Sequence, residues 1–267
     1  KVMKNFAHDT KQFFSADKWA VTGEAGTFMD PFYSPGSDFI GLGNTWISDL
    51  IIRDLKGENI ALRIMIYELA MKELLAGWIL IYENMYGIFG KSQIMLMKIV
   101  WDWACYWGIP CVLFMNDGYT NVNILKQYSS SVLSIGKRFG KLNEKMQSLF
   151  RTWGKYENKE YSDFCGNLFD LNFFRQLQEE LSSKFSEDKL IQKIEANVKL
   201  LEKVASEIFR KVSYEINETP SDMKVNPYEM SIEDGKKSLL EKSQKETAFE
   251  VDEQIKSDIE KMWLAPV

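Results

Sequence analysis

Apolar side chains recur every three to four positions through most of the chain, and this spacing predicts helices. The apolar pattern of the first predicted helix runs from Gly36 onwards. The second covers residues 60–84 and is apolar on most faces, which predicts that it is largely buried. The third runs over about Ser92–Trp107 and is expected to stop ahead of Pro110, because proline cannot donate the backbone hydrogen bond of a helix interior.

Helical spacing resumes over about Val122–Trp153, and the chain then becomes more charged. An amphipathic helix is predicted over Lys189–Val212, with aliphatic residues on one face and Lys and Glu on the other. A last, very polar helix is predicted over about Ile232–Trp263. Only Lys18–Gly23 is typical of a short strand running into a turn. The pattern therefore predicts a mainly α fold with a short strand near the N-terminus.

These changes in character divide the chain into three predicted regions. Residues 1–55 hold the strand, a loop and the first helix, residues 56–155 form an apolar helical region, and residues 156–267 form a charged helical region. With 267 residues, of which 45% are hydrophobic, the chain is long enough for a sizeable core. It also begins without Met, from which we expect a processed product or a fragment of a longer protein.

Charge and histidine content exclude several kinds of chemistry. The 33 Lys and Arg residues against 38 Asp and Glu give a net charge of −5, and no basic stretch predicts a nucleic-acid partner. His8 is the only histidine and lies in a polar segment, so neither a histidine-based catalytic pair nor a metal site is expected. Asp102 and Glu83 lie among apolar residues, where a carboxylate is either a general base or, more commonly, a paired structural group.

The cysteines and the apolar stretches indicate the cellular compartment of the protein and whether it crosses a membrane. Cys105, Cys111 and Cys165 are odd in number and lack metal-like spacing, which predicts a reducing, cytoplasmic setting. No signal-peptide pattern opens the sequence. The longest uncharged apolar stretch, Trp103–Met115, is too short to cross a bilayer, so no transmembrane segment is expected.

The segment Thr22–Phe39 differs from the rest because it combines glycines and prolines with bulky aromatic residues. Ser34 suits the residue that precedes a helix, and Pro35 suits the first helical position, where no amide hydrogen is needed. The first amide groups of the helix would then point out of its end, those of Gly36, Ser37 and Asp38. Such a helix end binds an anion or a partial negative charge.

Upstream of this helix, Glu24 lies where the predicted strand ends. Its neighbours are small enough for a ligand to lie against the chain, and they are Gly23, Ala25 and Gly26. A carboxylate accepts hydrogen bonds, so a polyol is a suitable partner for Glu24. The carboxylate and the helix end together predict a site for a molecule with hydroxyl groups at one end and an electron-rich ring at the other.

The same loop contains a recognisable spacing of residues, since Phe28, Pro31, Ser34 and Gly36 fit the pattern F-x-x-P-x-x-S-x-G. With this pattern the loop resembles that of flavin-dependent halogenases, and Thr22–Gly26 is similar to the G-D-A-type motif that they share with the wider class of aromatic-hydroxylase-like FAD monooxygenases. The resemblance covers about residues 18–55. It implies a parent enzyme with an α/β FAD-binding fold, in which the acidic residue holds the ribityl chain and the helix end faces the pyrimidine side of the flavin. The FAD contacts that it implies are Gly23, Glu24, Ala25, Gly26, Pro31, Ser34, Gly36, Ser37 and Asp38.

The loop also departs from the family in several places. Glu24 stands where Asp is more usual, and Tyr33 stands where tryptophan-type halogenases have Glu. Pro35 replaces a residue whose amide would help to hold halide, which favours oxygenation over halogenation. The dinucleotide fingerprint G-x-G-x-x-G is absent from all 267 residues, as is the family's catalytic lysine region.

The resemblance therefore implies an FAD-dependent oxidoreductase that uses flavin C4a-hydroperoxide chemistry on an unknown organic substrate, with halide as a further candidate substrate. A flavin reductase or reduced nicotinamide would supply electrons, and the sequence identifies no catalytic acid or base. Residues 1–55 would end an FAD-binding domain whose nucleotide-binding half is missing, and residues 56–155 would lie on the substrate side. The alternative is a non-catalytic helical module for binding or scaffolding, in which the loop is structural or a relic.

Overall fold

The computed structural model describes residues 7–129, 134–156, 166–232 and 248–263, and within these ranges the chain is mainly helical, as predicted. The α-helices are α1 (Pro35–Leu55), α2 (Ala61–Tyr82), α3 (Ser92–Tyr106), α4 (Val112–Met115), α5 (Val122–Ser129), α6 (Ile135–Trp153), α7 (Asn172–Glu179), α8 (Glu187–Asn217) and α9 (Glu253–Lys261). Strand pairing in the described ranges is limited to isolated bridges. One of them joins Phe14 to Ala20, where the sequence predicted a short strand.

Packing divides the chain into two compact units. The first unit contains Lys1–Glu83 and Asp117–Lys126, and the second contains Asn84–Asn116 and Gln127–Val267. The three regions predicted from the sequence, residues 1–55, 56–155 and 156–267, were assigned by function and not by packing. They stay a prediction. In the described part of the chain, no helix is both long enough and apolar enough to cross a membrane.

In the first unit, Trp46 of α1 is the centre of the core. Its ring is fully buried, stacks on Tyr67 of α2 at a centroid distance of 5.6 Å, and donates from Nε1 to the Tyr119 carbonyl at 2.8 Å. The Tyr67 hydroxyl donates to the Asp49 carboxylate at 2.6 Å, and Arg63 donates to the same carboxylate at 3.2 Å. Burial raises the pKa of Tyr67 above its ordinary range. These contacts join α1, α2 and the turn at residues 118–120.

Helix α2 is not buried on most faces, so that prediction was wrong. Its buried positions form one row, with Tyr67, Met71 and Leu75 packed into the unit. On another face Met65 is 67% exposed and Leu69 is 55% exposed. A helix with one neighbouring layer can bury only one stripe, whatever its composition, so the remaining apolar residues face outwards.

In the second unit, α6 and α8 pack against each other and against α3. Helix α8 covers the predicted amphipathic helix at Lys189–Val212 and extends it at both ends. Its buried aliphatic residues repeat at three- to four-residue spacing: Leu190, Ile194, Val198, Leu201, Ala205 and Ile208. The sequence pattern predicted this spacing, but it predicted Ile191 as the first buried position, and Ile191 is only half-buried. The last predicted helix, about Ile232–Trp263, lies partly outside the described residues, and its described helical part is α9. The prediction was wrong at Phe249, which pairs with Val225 in an isolated bridge.

Helix α3 ends at Tyr106, ahead of Gly108 as predicted, but the chain does not leave helical structure there. The chain continues through a π-helical turn at Trp107–Cys111 into α4. A regular α-helix would bring the ring of Pro110 against the carbonyl four residues earlier, and the wider turn changes that spacing. Asn197 of α8 is buried and donates from Nδ2 to the Gly108 carbonyl at 2.7 Å. A side chain from a neighbouring helix therefore supplies a hydrogen bond inside the irregular turn.

Several buried polar groups between α3 and α6 satisfy one another. Lys98 is fully buried and donates to the carboxylate of Asp102 at 2.7 Å and to Oε1 of Gln147 at 2.8 Å. Gln147 donates to the other oxygen of Asp102 at 2.7 Å and to Asn143 at 3.1 Å, and Trp101 donates to Asn143 at 2.9 Å. Asp102 is therefore a paired structural carboxylate, which was the more common of its two predicted roles. Glu83, the other carboxylate that the sequence places among apolar residues, is exposed directly after α2.

Candidate functional site

The glycine- and proline-containing loop lies entirely in the first unit, ahead of α1. Gly23–Ala25 form a single 3₁₀ turn, and the Asp30 carboxylate accepts a hydrogen bond from the Phe32 amide at 2.8 Å. Just before the helix, Tyr33 has a φ of 65° and Ser34 a φ of 56°. Left-handed backbone costs about 1–3 kcal/mol for a non-glycine residue and is often found at functional sites.

Helix α1 begins at Pro35, with Ser34 directly before it, as predicted. The Ser34 side chain makes no capping hydrogen bond, however, because its backbone is left-handed and not extended. The Ser37 amide is also engaged, since it donates to the Ser34 carbonyl at 3.1 Å. The expectation that the amides of Gly36, Ser37 and Asp38 all point freely out of the helix end was therefore wrong for Ser37.

The loop glycines have different surroundings. Gly23 has a φ of 56°, and a Cβ atom there would lie 2.6 Å from Cγ1 of Ile40. A Cβ atom on Gly26 would lie 2.8 Å from Cε1 of Phe13. Both glycines therefore let the loop pack against its own unit. At Gly36, by contrast, the nearest atom to an added Cβ would be Oε1 of Glu24, at an ordinary contact distance of 3.9 Å.

A cleft of about 210 Å³ lies between the loop and the start of α1. Of the nine predicted contact residues, five line this cleft: Glu24, Pro31, Ser34, Gly36 and Ser37. The other four do not line it: Gly23, Ala25, Gly26 and Asp38. Phe28 and Ile40 add apolar surface to the same cleft. Its volume is smaller than the roughly 300–1,000 Å³ of pockets that enclose a whole ligand, so it suits one edge of a larger molecule.

Glu24 gives the cleft its chemical character. Its side chain is exposed, and within the described residues its carboxylate has neither a hydrogen bond nor an ion pair. The carboxylate lies close to Gly36 in the first turn of α1, where the helix dipole favours negative charge. Ionised carboxylates only accept hydrogen bonds, so the arrangement suits a ligand that brings hydroxyl or other donor groups.

Sequence reasoning missed one residue of this region, His8. Its Nε2 atom lies 2.8 Å from the carbonyl oxygen of Glu24, and its backbone pairs with that of Phe28. The sequence placed His8 in a polar segment far from any motif, and no local pattern marks this long-range pairing. Among the described residues, no group of three or more His, Cys, Asp and Glu side chains is placed to hold a metal ion. Cys105 and Cys111 are unbridged, and Cys165 lies outside the described residues.

No protein-family model, curated protein or solved structure matches this chain. Any functional conclusion therefore depends on the loop, its cleft and the residues that surround them.

Proposed function

We propose that this chain provides the flavin-contacting loop of an FAD-dependent oxidoreductase of the halogenase and monooxygenase kind. The observation that carries the proposal is the cleft itself. Five of the nine predicted contact residues line the cleft. The carboxylate of Glu24, which has no hydrogen bond or ion pair within the described residues, lies beside the first turn of α1. Because the 267 residues lack a G-x-G-x-x-G fingerprint, the ADP part of FAD would be held outside them.

The cleft residues fit one part of a flavin and not the whole of FAD. Glu24 would accept hydrogen bonds from ribityl hydroxyl groups, and Gly36 would let the ring edge approach the backbone. The N-terminus of α1 would face the electron-rich pyrimidine edge of the ring. Bound reduced FAD would supply the activation of oxygen, and the protein would supply binding, orientation and electrostatics. The proposal includes an organic substrate that binds on the side of residues 56–155. It also includes a flavin reductase or reduced nicotinamide as the source of electrons.

Two features favour oxygenation over halide oxidation. Pro35 has no amide hydrogen, and the Ser37 amide already donates to the Ser34 carbonyl. A halide ion removed from water without enough donors is poorly compensated for its lost hydration. We therefore propose hydroxylation of an organic substrate as the first reaction to test.

The experiment measures binding of riboflavin and lumiflavin by fluorescence titration, because these ligands need no site for ADP. Riboflavin carries the ribityl chain, and lumiflavin has the ring alone. Glu24→Ala should weaken riboflavin binding by about 1.5–3 kcal/mol, the contribution of a hydrogen bond to a charged group, and should leave lumiflavin binding unchanged. Glu58→Ala is the matched control, since Glu58 is an exposed carboxylate of the same unit that does not line the cleft.

Equal riboflavin affinity in the wild type and Glu24→Ala would contradict the role of Glu24. If the wild-type chain binds neither riboflavin nor FAD, the proposed function itself is contradicted. That result would favour the alternative, a helical module for binding or scaffolding.

One observation favours this alternative. Helices α1 and α2 expose aliphatic side chains, with Leu55 at 81% and Met65 at 67% exposure. Exposed apolar patches often mark surfaces where proteins associate. The module would then associate through these side chains, and Met65→Lys would lower its association measured by sedimentation. A flavoprotein would keep its riboflavin affinity in the same variant, because Met65 does not line the cleft.

A further inference from the structure

His8 makes several contacts with the loop that carries Glu24. Its amide donates to the Phe28 carbonyl at 2.8 Å, and its carbonyl accepts from the Phe28 amide at 2.9 Å and from the Thr27 hydroxyl at 3.0 Å. Its imidazole reaches further along the loop, with Nε2 at 2.8 Å from the Glu24 carbonyl oxygen. One residue therefore binds both ends of the segment from Glu24 to Phe28.

The carbonyl that receives the imidazole lies inside the 3₁₀ turn Gly23–Ala25. The amides of Gly26 and Thr27 both donate to the Gly23 carbonyl, at 2.9 Å and 3.1 Å, so they fix the first peptide of the turn. The next peptide carbonyl, that of Glu24, is bound by His8. Because this carbonyl belongs to the same residue as the cleft-lining carboxylate, its orientation constrains where the Glu24 side chain leaves the backbone.

We propose that His8 is a positioning residue for Glu24: its imidazole holds the Glu24 carbonyl and so directs the Glu24 carboxylate towards the cleft. This inference rests on the proposed flavin-contacting function of the loop. His8 itself does not line the cleft. It acts on a ligand only through Glu24, and the charge of the imidazole is not required.

The first test is the tautomer of the imidazole. A carbonyl oxygen can only accept, so Nε2 must carry a hydrogen. His8 is the only histidine, so the ring ¹⁵N signals in an NMR spectrum need no further assignment. We expect the Nε2–H tautomer in the wild-type chain. A neutral ring protonated on Nδ1 would overturn the proposal.

The second test compares His8→Ala with His8→Gln, whose side-chain amide can again donate to the carbonyl. His8→Ala should increase hydrogen exchange of the Gly26 and Thr27 amides and weaken riboflavin binding, each by about three- to tenfold, as expected for one modest hydrogen bond. His8→Gln should recover most of both losses. Lys11→Ala is the matched control, because Lys11 is an exposed cation of the same segment whose side chain does not line the cleft.

The third test asks whether His8 acts through Glu24. In a Glu24→Ala background, His8→Ala should cause no further loss of riboflavin affinity, since the carboxylate that it orients is gone. Fully additive losses would overturn the proposal, as would a His8→Ala variant with wild-type affinity. If the wild-type chain binds no riboflavin, the proposed function fails. Unchanged exchange at Gly26 and Thr27 in His8→Ala would separately show that the imidazole does not order the loop.

Discussion

Glu24 in the first unit and Asp102 in the second are both carboxylates, yet their surroundings are opposite. Asp102 is buried and accepts hydrogen bonds from Lys98 and Gln147. Glu24 is exposed, and its carboxylate accepts none from the described residues. Burial of an unpaired charge is so unfavourable that a buried carboxylate must have partners inside the protein. Asp102 therefore has a structural role, whereas the carboxylate of Glu24 is open to solvent, where the proposed ligand would reach it.

The backbones of the two regions differ in the same way. In the second unit, the irregular turn at Trp107–Cys111 is supported by a hydrogen bond from the buried Asn197 side chain. In the loop of the first unit, Tyr33 and Ser34 adopt left-handed backbone, and Ser34 makes no capping hydrogen bond. The buried irregularity is compensated locally, whereas the loop retains strain beside an open cleft. This contrast predicts large effects on stability in the network and small ones in the loop.

The largest effect is expected from Asp102→Ala. It leaves the Lys98 ammonium buried without its counter-charge, which typically destabilises a protein by about 3–5 kcal/mol. Urea unfolding followed by circular dichroism measures the change. The double variant Lys98→Met with Asp102→Leu should recover part of the loss, because it removes both charges but leaves the buried Gln147 without the donor to its Oε1 atom. A loss below about 1 kcal/mol in Asp102→Ala would contradict the assignment of Asp102 as a structural group.

Asn197→Ala should have the next largest effect. It removes the donor that satisfies the Gly108 carbonyl in the π-helical turn, and an unsatisfied buried acceptor costs about 1–3 kcal/mol. The same unfolding experiment applies. Gln178→Ala is the control, since Gln178 is exposed on α7 and should change stability by less than about 0.5 kcal/mol. Equal stability of the two variants would mean that the turn does not depend on Asn197.

A smaller effect concerns pH and the buried thiol of Cys105, near the Lys98–Asp102 pair. Burial raises the pKa of Cys105 well above its ordinary value of 9.0. In the unfolded chain the thiol ionises near that value, so the stability it contributes is present below pH 9.0 and is lost as the pH rises further. Between about pH 8 and 10, wild-type stability should fall by roughly 1.4 kcal/mol more than that of Cys105→Ala.

The unfolding free energy at each pH measures this difference, and the comparison cancels contributions from Lys98 that both proteins share. Parallel pH profiles for the wild type and Cys105→Ala would show that the thiol ionises as readily in the folded protein as in the unfolded chain.

The smallest effect on stability is expected at Gly36. An added methyl would make only an ordinary contact with Glu24, so Gly36→Ala should change stability by less than about 0.5 kcal/mol. The methyl would nevertheless enter the cleft, and riboflavin affinity should fall about tenfold. Gly41→Ala is the matched variant, because Gly41 lies in α1 with open space around it and should leave riboflavin affinity unchanged. Equal riboflavin affinity in both variants would place the ligand elsewhere.

Much of this architecture could be predicted because it depends on local spacing. The period of apolar residues located α1, α2 and α8, and the Ser34-Pro35 pair located the start of α1. The π-helical turn that follows α3 could not be predicted in this way. Proline normally stops a helix, and the accommodation of Pro110 involves Asn197, which is distant in sequence. The exposed face of α2 was missed because apolar composition shows what a helix could bury and not how many neighbours it has.

The sequence by itself determined that the chain is mainly helical and that a glycine- and proline-containing loop precedes a helix start, because both follow from local backbone preferences and periodicity. Tertiary structure alone decided which loop residues face the cleft, since Gly23 and Gly26 pack inwards while Glu24 and Gly36 line it. It also brought His8 to the Glu24 carbonyl and Lys98 to Gln147. Such partnerships depend on burial and on contacts between distant segments, and these arise only when the chain folds.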